Sequence, residues 1–346
     1  LGNMRKYFKV SVIIPVYNAA KYVRKAVESA VSLDDVGEVI LVDDAGPDNS
    51  LTVCRQLIEE YPGKVILLRH PDHANHGPGA SRNLGIKYAR FDYIAFLDAD
   101  DYYLPNRFAR DREILMNDPA ADGVYNCIGN HYYSDNARRN YLSKGHPEEM
   151  TLSAPVPPQE LIYVLLWQHP TVRGEFSTIS LTVRRSLLDR VGQFHTELPL
   201  QQDTHMWKRM AAVGRLLPGN LETPVAMRGV HDDNRMVDRD LQRESLRLWW
   251  KDLRRWFRRS DDVPPQVWDA FDRAYHVFQV RNQSRPRALG FLLKYVLIHP
   301  RETIKSVGFF DQAIFRIFGK NWVTLHATSW KNRRLNHVPE RELKPD

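Results

Sequence analysis

Between residues 10 and 104 the chain alternates between two hydrophobic periods. Four runs, "VSVIIPVY" (10–17), "GEVILVDD" (37–44), "KVILLRH" (64–70) and "DYIAFLDADD" (92–101), are apolar at consecutive positions and rich in β-branched residues. That pattern predicts strands buried on both faces. Between them lie segments with helical spacing. In "AAKYVRKAVESAVSL" (19–33), Tyr22, Val23, Val27 and Val31 share a face, and Asn18 stands where a cap would sit. "SLTVCRQLIEEYP" opens a second helix at Ser50, and "ASRNLGIKYAR" (80–90) a third, after the loop "PDHANHGPG". Strand and helix in alternation predict an open, mostly parallel α/β sheet. Such sheets bind ligands beyond the carboxyl ends of their strands. Asp43–Asp44 and Asp98–Asp101 both close a strand, so they are expected on one rim.

After residue 104 the rhythm changes. "NRFARDREILMN" (106–117) reads as a polar helix, "DGVYNCIGNHYYSD" (122–135) as one or two strands, and 135–150 as a charged loop. "SAPVPPQELIYVLLWQHP" (153–170) turns into a short helix, "STISLTVRRSLLDRVGQF" (177–194) is strand then helix, and "DTHMWKRMAAVG" (203–214) is a further helix. From about 238 the chain becomes helical, basic and aromatic, with a break at "DDVPP" (261–265) and two or three helices beyond. The expected organisation is a catalytic domain over 1–237, with halves at about 10–104 and 105–237. A helical appendage over 238–330 and a disordered tail over 331–346 follow.

Composition narrows the class. Of 346 residues, 43% are hydrophobic and 26% charged, as in an ordinary soluble globular protein. A net charge of +7 favours anionic partners without choosing among them. Cys54 and Cys127 are too few for a disulfide framework or a zinc site, and read as buried free thiols in a reducing compartment. No apolar signal segment opens the chain and no run is long enough to span a membrane, so a cytoplasmic protein is expected.

The stretch "FLDADDYY" (96–103) packs Asp98, Asp100 and Asp101 into four positions. Taken alone, it is either a solvated turn with capping carboxylates or a hard-cation site shared with substrate phosphates. His70, His73 and His76 lack a nearby cysteine or a helical face, so they read as a polar loop rather than a zinc site.

"VSVIIPVYNAAKYVRKAVESA", "ILVDDAGPDNS", "GPGASRNLGIKYAR" and "YIAFLDADD", in this order, resemble the family-2 glycosyltransferases of GT-A fold. "STISLTVRRSLLDRVGQFHTELPLQQDTHMWKRMAAVG" and "MRGVHDDNR" extend the resemblance to about Arg235, roughly two thirds of the chain. It implies that Asp43, Asp44 and Arg82 hold the nucleotide base of the donor, with Pro15 and Tyr17 lining its pocket. A uridine donor suits carboxylates that accept from a ring N–H. It implies that Asp98 meets ribose or metal-bound water, and that Asp100 ligates Mn²⁺ or Mg²⁺. Asp101 either supports the cluster or meets the sugar. His231 matches a histidine that closes over the diphosphate, often as a metal ligand, and Arg228 and Arg235 flank it to pair with phosphate. Asp203 matches the general base for the acceptor hydroxyl, where a helix start favours a carboxylate. The acidic pair expected there is Gln202–Asp203 in this chain, so the first position departs.

The resemblance thus implies an inverting transferase that takes a nucleotide sugar, UDP-linked by preference, to a glycan, lipid-linked or other hydroxyl acceptor. A nucleotidyltransferase would want a Gly-rich, Lys-bearing phosphate loop, which "PVYNAAKY" does not offer. A silent nucleotide- or glycan-binding relative is the other rival. In the appendage, "RLWWKDLRRWFRRS" (247–260) is either a helix packing Trp249, Trp250, Trp256 and Phe257 on the catalytic domain or a membrane-surface helix. The membrane reading would extend over 246–325 at the inner face of the plasma membrane. No nucleic-acid motif accompanies the charge.

Overall fold

The computed structural model describes residues 7–232 and 239–281. Its first hundred residues form β1 (Val10–Val16), α1 (Val23–Val31), β2 (Val36–Asp43), α2 (Ser50–Glu60), β3 (Val65–Arg69), α3 (Gly77–Tyr88) and β4 (Tyr93–Phe96). Then come β5 (Tyr102–Tyr103), α4 (Ala109–Asn117), β6 (Gly123–Tyr125), β7 (Ile128–Tyr132), α5 (Asp135–Ser143), β8 (Glu149–Met150) and α6 (Leu161–Leu165). The remainder is β9 (Thr182–Arg184), α7 (Arg185–Val191), α8 (Gln202–Val213), β10 (Leu216–Pro218), β11 (Ala226–Val230), α9 (Arg239–Arg259) and α10 (Pro265–Arg281).

The consecutive apolar runs are strands of one sheet in the order β10-β6-β9-β4-β1-β2-β3. β1 pairs in parallel with β2 and β4, and its Val12, Ile13 and Ile14 are fully buried. β9 runs antiparallel between β4 and β6, and it joins the chain beyond residue 104 to the sheet of the first hundred residues. The sheet is therefore mostly parallel and flanked by helices. A second sheet, β5-β11-β7-β8, stands beside the carboxyl edge and carries the turn after β4.

Two local expectations give way. Asn18 does not cap α1, because long-range bonds dictate its loop. Asn18 is left-handed (φ 51°), and the next two amides, of Ala19 and Ala20, donate to Ser50 Oγ and Asp48 Oδ2 at 2.9 and 2.8 Å. The helix starts only at Val23. The charged stretch 135–150 is not all loop either. Ser134 Oγ accepts from Ala137 N at 3.0 Å and nucleates α5.

The polar helix α4 is less exposed than its composition suggests. Arg107 and Asp111 are fully buried and paired at 2.7 Å. Asn126 Nδ2 and Thr182 Oγ1 donate to the same carboxylate, while Arg107 donates to the Ile179 and Leu181 carbonyls. This satisfied knot ties α4 to β9 and to the segment between β6 and β7.

Contacts divide the chain into two compact units, Leu1–Trp268 and Asp269–Asp346; of the second, residues 269–281 are described, and they are helical. Within the first unit α9 lies on α8 and its surroundings. Trp249, Trp250, Leu253 and Phe257 are buried, and Trp256 Nε1 donates to the Val191 carbonyl at 3.1 Å. Asp252 faces His205 at 3.3 Å and His195 at 3.6 Å. The aromatic face of α9 therefore packs on protein. Residues 282–325 of the segment considered for membrane contact lie outside the described residues. Among the described residues no helix is long and apolar enough to cross a membrane.

Candidate active site

A cleft of about 400 Å³ opens beyond the carboxyl ends of β1, β2 and β4. Pro15 lines it from β1, Tyr17 and Asn18 from the turn just after β1, and Asp44 from the residue just after β2. Gly77 and Pro78 come from the start of α3, and Asp98 and Asp100 from the turn after β4. His231 and Tyr22 close the far side.

Asp44 is 2% exposed and organises the α3 entrance. Its two oxygens accept from the His76 and Gly77 amides at 2.8 and 2.9 Å, as a carboxylate at a helix start should. Its carbonyl accepts from Asn75 Nδ2 at 3.2 Å. His70, 8% exposed, bonds Ser81 Oγ at 3.1 Å and lies 3.5 Å from Asp44; burial lowers its pKa, with His76 adding to the effect. Asp43 pairs with Arg69 at 2.9 Å and is not among the residues that line the cleft.

Leu97 N donates to the Ile13 carbonyl at 3.0 Å, so the chain leaves the sheet just before Asp98. Asp98 pairs with the buried Arg82 at 2.6 Å and still exposes 42% of its side chain. Asp101 turns inward, where its amide donates to the Asp98 carbonyl at 3.0 Å and its own carboxylate accepts from Gly229 N at 2.8 Å. Burial, then the Asp100 and Asp98 charges, push the Asp101 carboxyl well above its ordinary range. Burial also works against the Arg228 charge, but Asp101, Tyr141 and Asp98 outweigh it and raise that pKa.

Gly229 explains how β11 reaches this turn. A Cβ there would overlap the Asp100 carbonyl oxygen, so only glycine lets the strand pass so close. Two residues on, His231 Nε2 stands 3.2 Å from Asp100 Oδ2, and its ring stacks on Tyr22 at 4.5 Å. Residues distant in sequence by more than a hundred positions thus meet at one edge of the cleft.

α8 approaches the same region from the second half. A Cβ on Gly79 in α3 would lie 3.6 Å from Gln202 Cγ, so the two helix starts are neighbours. Asp203 stands in the first turn of α8, and its Oδ1 accepts from Thr204 N at 2.7 Å. Gln202 is 8% exposed and donates to the Leu198 carbonyl at 2.8 Å. The position lacking the expected carboxylate thus has a packing role.

Of the residues singled out in the sequence, Pro15, Tyr17, Asp44, Asp98, Asp100 and His231 line the cleft. Arg82 and Asp101 stand behind it through Asp98 and Gly229, Asp43 is tied to Arg69, and Asp203 is on the adjoining helix start. Arg235 lies outside the described residues. Tyr22, Asn75, Gly77 and Pro78 were not anticipated as lining residues. Tyr22 was counted among apolar helix positions, and only its stacking on His231 distinguishes it.

The donor set suits a hard cation in part. Asp98 and Asp100 supply oxygens and His231 a nitrogen, but among the described residues no group of three such side chains is close enough to hold a metal by itself. That fits Mg²⁺ or Mn²⁺ held by one or two carboxylates and completed by substrate phosphates.

Residues 11–184 match the model of a family described as glycosyl transferase family 2. An uncharacterised glycosyltransferase of Bacillus subtilis, EpsJ, is 31% identical over 44% of this chain and 42% of its own length. The succinoglycan biosynthesis protein ExoU of Rhizobium meliloti is 28% identical over 59% of this chain and 57% of its own. The poly(ribitol-phosphate) beta-glucosyltransferase of Bacillus spizizenii is 38% identical over 27% of this chain and 15% of its own. The chain spans less than a third of the Rickettsia felis relative (31%) and under half of EpsJ. Among solved structures, S. aureus TarS 1–349 in complex with UDP-GlcNAc aligns over 88% of this chain and 81% of its own. It has a TM-score of 0.55 at 23% identity, a likeness of GT-A fold.

Proposed function

Because the chain belongs to glycosyl transferase family 2, we propose that it transfers a sugar from a nucleotide diphosphate donor, UDP-linked, to an acceptor hydroxyl. The observation that carries this reading is that His231, 3.2 Å from Asp100, lines one cleft together with Asp98, Tyr17 and Asp44. Such a lining offers carboxylates and an imidazole for a diphosphate with its cation, and an aromatic ring for a planar base. The names of relatives such as the succinoglycan biosynthesis protein support a place in glycan or polysaccharide assembly.

In this reading Tyr17 and Pro15 receive the base. Asp44 keeps a second lone pair on each oxygen beyond its bonds to His76 and Gly77, enough to accept a uracil N–H. Arg82 orients Asp98 toward the ribose, and Asp101, with Arg228 nearby, holds β11 against the turn. Asp100 and His231 face the diphosphate, where a divalent cation, when bound, offsets the charge of the leaving group. Asp203 takes the proton of the acceptor hydroxyl. That oxygen attacks the anomeric carbon from the face opposite the diphosphate, the sugar–phosphate bond breaks, and the configuration inverts.

The test is a panel of nucleotide sugars with Mn²⁺ or Mg²⁺, followed by release of nucleotide diphosphate. UDP-sugars should be turned over and a chelator should stop the reaction. Failure of every donor to bind or react would sink the reading, and release of pyrophosphate would point to nucleotidyl transfer instead.

A further inference from the structure

Among the described residues, five other than glycine have left-handed backbone: Asn18, Ala45, His73, Trp167 and Gln201. Asn18 lines the cleft, Ala45 follows Asp44, His73 belongs to the loop before α3, and Gln201 precedes α8. Trp167 (φ 58°) is the fifth, at the end of α6, and for a bulky aromatic residue such a conformation is strained. Loose chain does not explain it. The Trp167 amide donates to the Val164 carbonyl at 2.9 Å, and those of Gln168 and His169 to Tyr163 at 2.8 and 3.1 Å. His169 in turn pairs with Glu160 at 3.0 Å and accepts from Val172 N at 2.9 Å.

This stitched turn holds an indole that is 64% exposed. Beneath it is Lys208 of α8, whose ammonium lies 5.2 Å from the Trp167 ring and 5.0 Å from that of Trp249. Lys208 is 2% exposed. Burial lowers its pKa to about 8, against the pull of Glu175 and Asp203. Both rings lie within cation–π distance of the ammonium. α8 therefore carries Asp203 in its first turn, and farther along it the cation that supports an open aromatic ring.

We infer that Trp167 is a stacking platform for a pyranose ring of the acceptor, held in place by Lys208, so that the acceptor is a glycan rather than a simple polyol or lipid hydroxyl. The inference rests on the transferase reading and on Asp203 as its base. An indole kept in water at the cost of backbone strain suits the C–H face of a sugar, which needs an apolar surface at a fixed angle. Lys208, which supports the platform, shares α8 with the base, so a sugar stacked on Trp167 is coupled through that helix to the group that deprotonates its hydroxyl. Trp167 and Lys208 act as positioning residues.

The experiment uses the full chain with the best donor from the nucleotide-sugar panel. Chitotetraose, maltotetraose and cellotetraose serve as acceptor probes, with a ribitol-phosphate oligomer as the polyol probe. At least one tetrasaccharide should be extended. Its KM should rise about tenfold or more in Trp167→Ala while donor KM holds, and Trp167→Phe should restore most of the loss. Trp167→Gly separates structure from binding, because glycine accepts the left-handed backbone: it should keep Tm or raise it and still lose acceptor affinity. Unchanged acceptor KM in both the alanine and glycine variants would overturn the inference. So would donor hydrolysis without extension of any tetrasaccharide, or extension of the polyol probe alone, and either result would leave the donor-side reading standing. No donor turnover at all would remove the transferase reading and this inference with it.

Discussion

Gly229→Ala tests the architecture of the donor edge with the smallest possible change. The added methyl would overlap the Asp100 carbonyl oxygen, with the Tyr133 ring 3.2 Å away on another side. A carbonyl at a strand-end turn cannot rotate aside as a flexible side chain can, so β11 must retreat. Overpacking of this kind costs about 1–3 kcal/mol. Retreat also stretches the bond from Gly229 N to Asp101, now 2.8 Å, and leaving a buried donor and acceptor unsatisfied costs about 1–3 kcal/mol. The two are not independent, since relieving the clash breaks the bond, and a net loss of about 3 kcal/mol is expected. At ~2–4 °C per kcal/mol this lowers Tm by on the order of 6–12 °C. The same retreat carries His231 away from Asp100, from which it now stands 3.2 Å. Metal-dependent donor affinity should therefore fall about tenfold or more, as read by calorimetric titration of UDP with Mn²⁺. An alanine variant with the parent's Tm and affinity would refute the claim that glycine is required by the passage of β11 over the turn. A variant that lost stability and kept affinity would separate His231 from the donor.

Asp203→Asn should lower kcat by about 10²–10⁴ while donor affinity holds, because the amide cannot accept the acceptor proton; loss of donor binding would reassign the residue to the donor site. His205, 1% exposed, has its pKa pushed to about 4, by burial first, against the pull of Asp252. Between the ordinary value of 6.5 and about 4 the unfolded chain takes up a proton that the folded chain refuses, so stability falls as pH drops through that window. The whole effect amounts to about 3 kcal/mol. His205→Asn should flatten this part of a urea-denaturation series against pH, and an unchanged acid limb would show that other groups set it.

The strands and the carboxylate rim were legible for one reason. A strand buried on both faces has few polar positions to spare, so the runs at 10–17, 37–44 and 92–101 admit few other readings, whereas the run at 64–70 proves to be the half-buried edge strand β3. Where two of these runs, 37–44 and 92–101, break into Asp, the chain is leaving the sheet, and parallel order puts Asp44, Asp98 and Asp100 on one edge. What stayed hidden depends on partners remote in sequence. Asn18 has the composition of a cap, yet Asp48 and Ser50 hold the two amides that follow it, and the helix starts only at Val23. The polarity of Arg107 and Asp111 suggests a solvated helix, but their mutual ion pair and bonds to Asn126, Thr182 and two carbonyls let both be fully buried. β9 gives no local sign that it will run antiparallel between β4 and β6. Gly229 is the sharpest case. Among the chain's 18 glycines nothing in its neighbours marks it, because the atom that excludes a side chain belongs to Asp100. The D-x-D stretch therefore supplies more than carboxylates. Its backbone is the surface against which β11 is fitted, and this fit brings His231 to the cleft. A substitution that alters the shape of that turn should disturb the donor edge even when every carboxylate is retained.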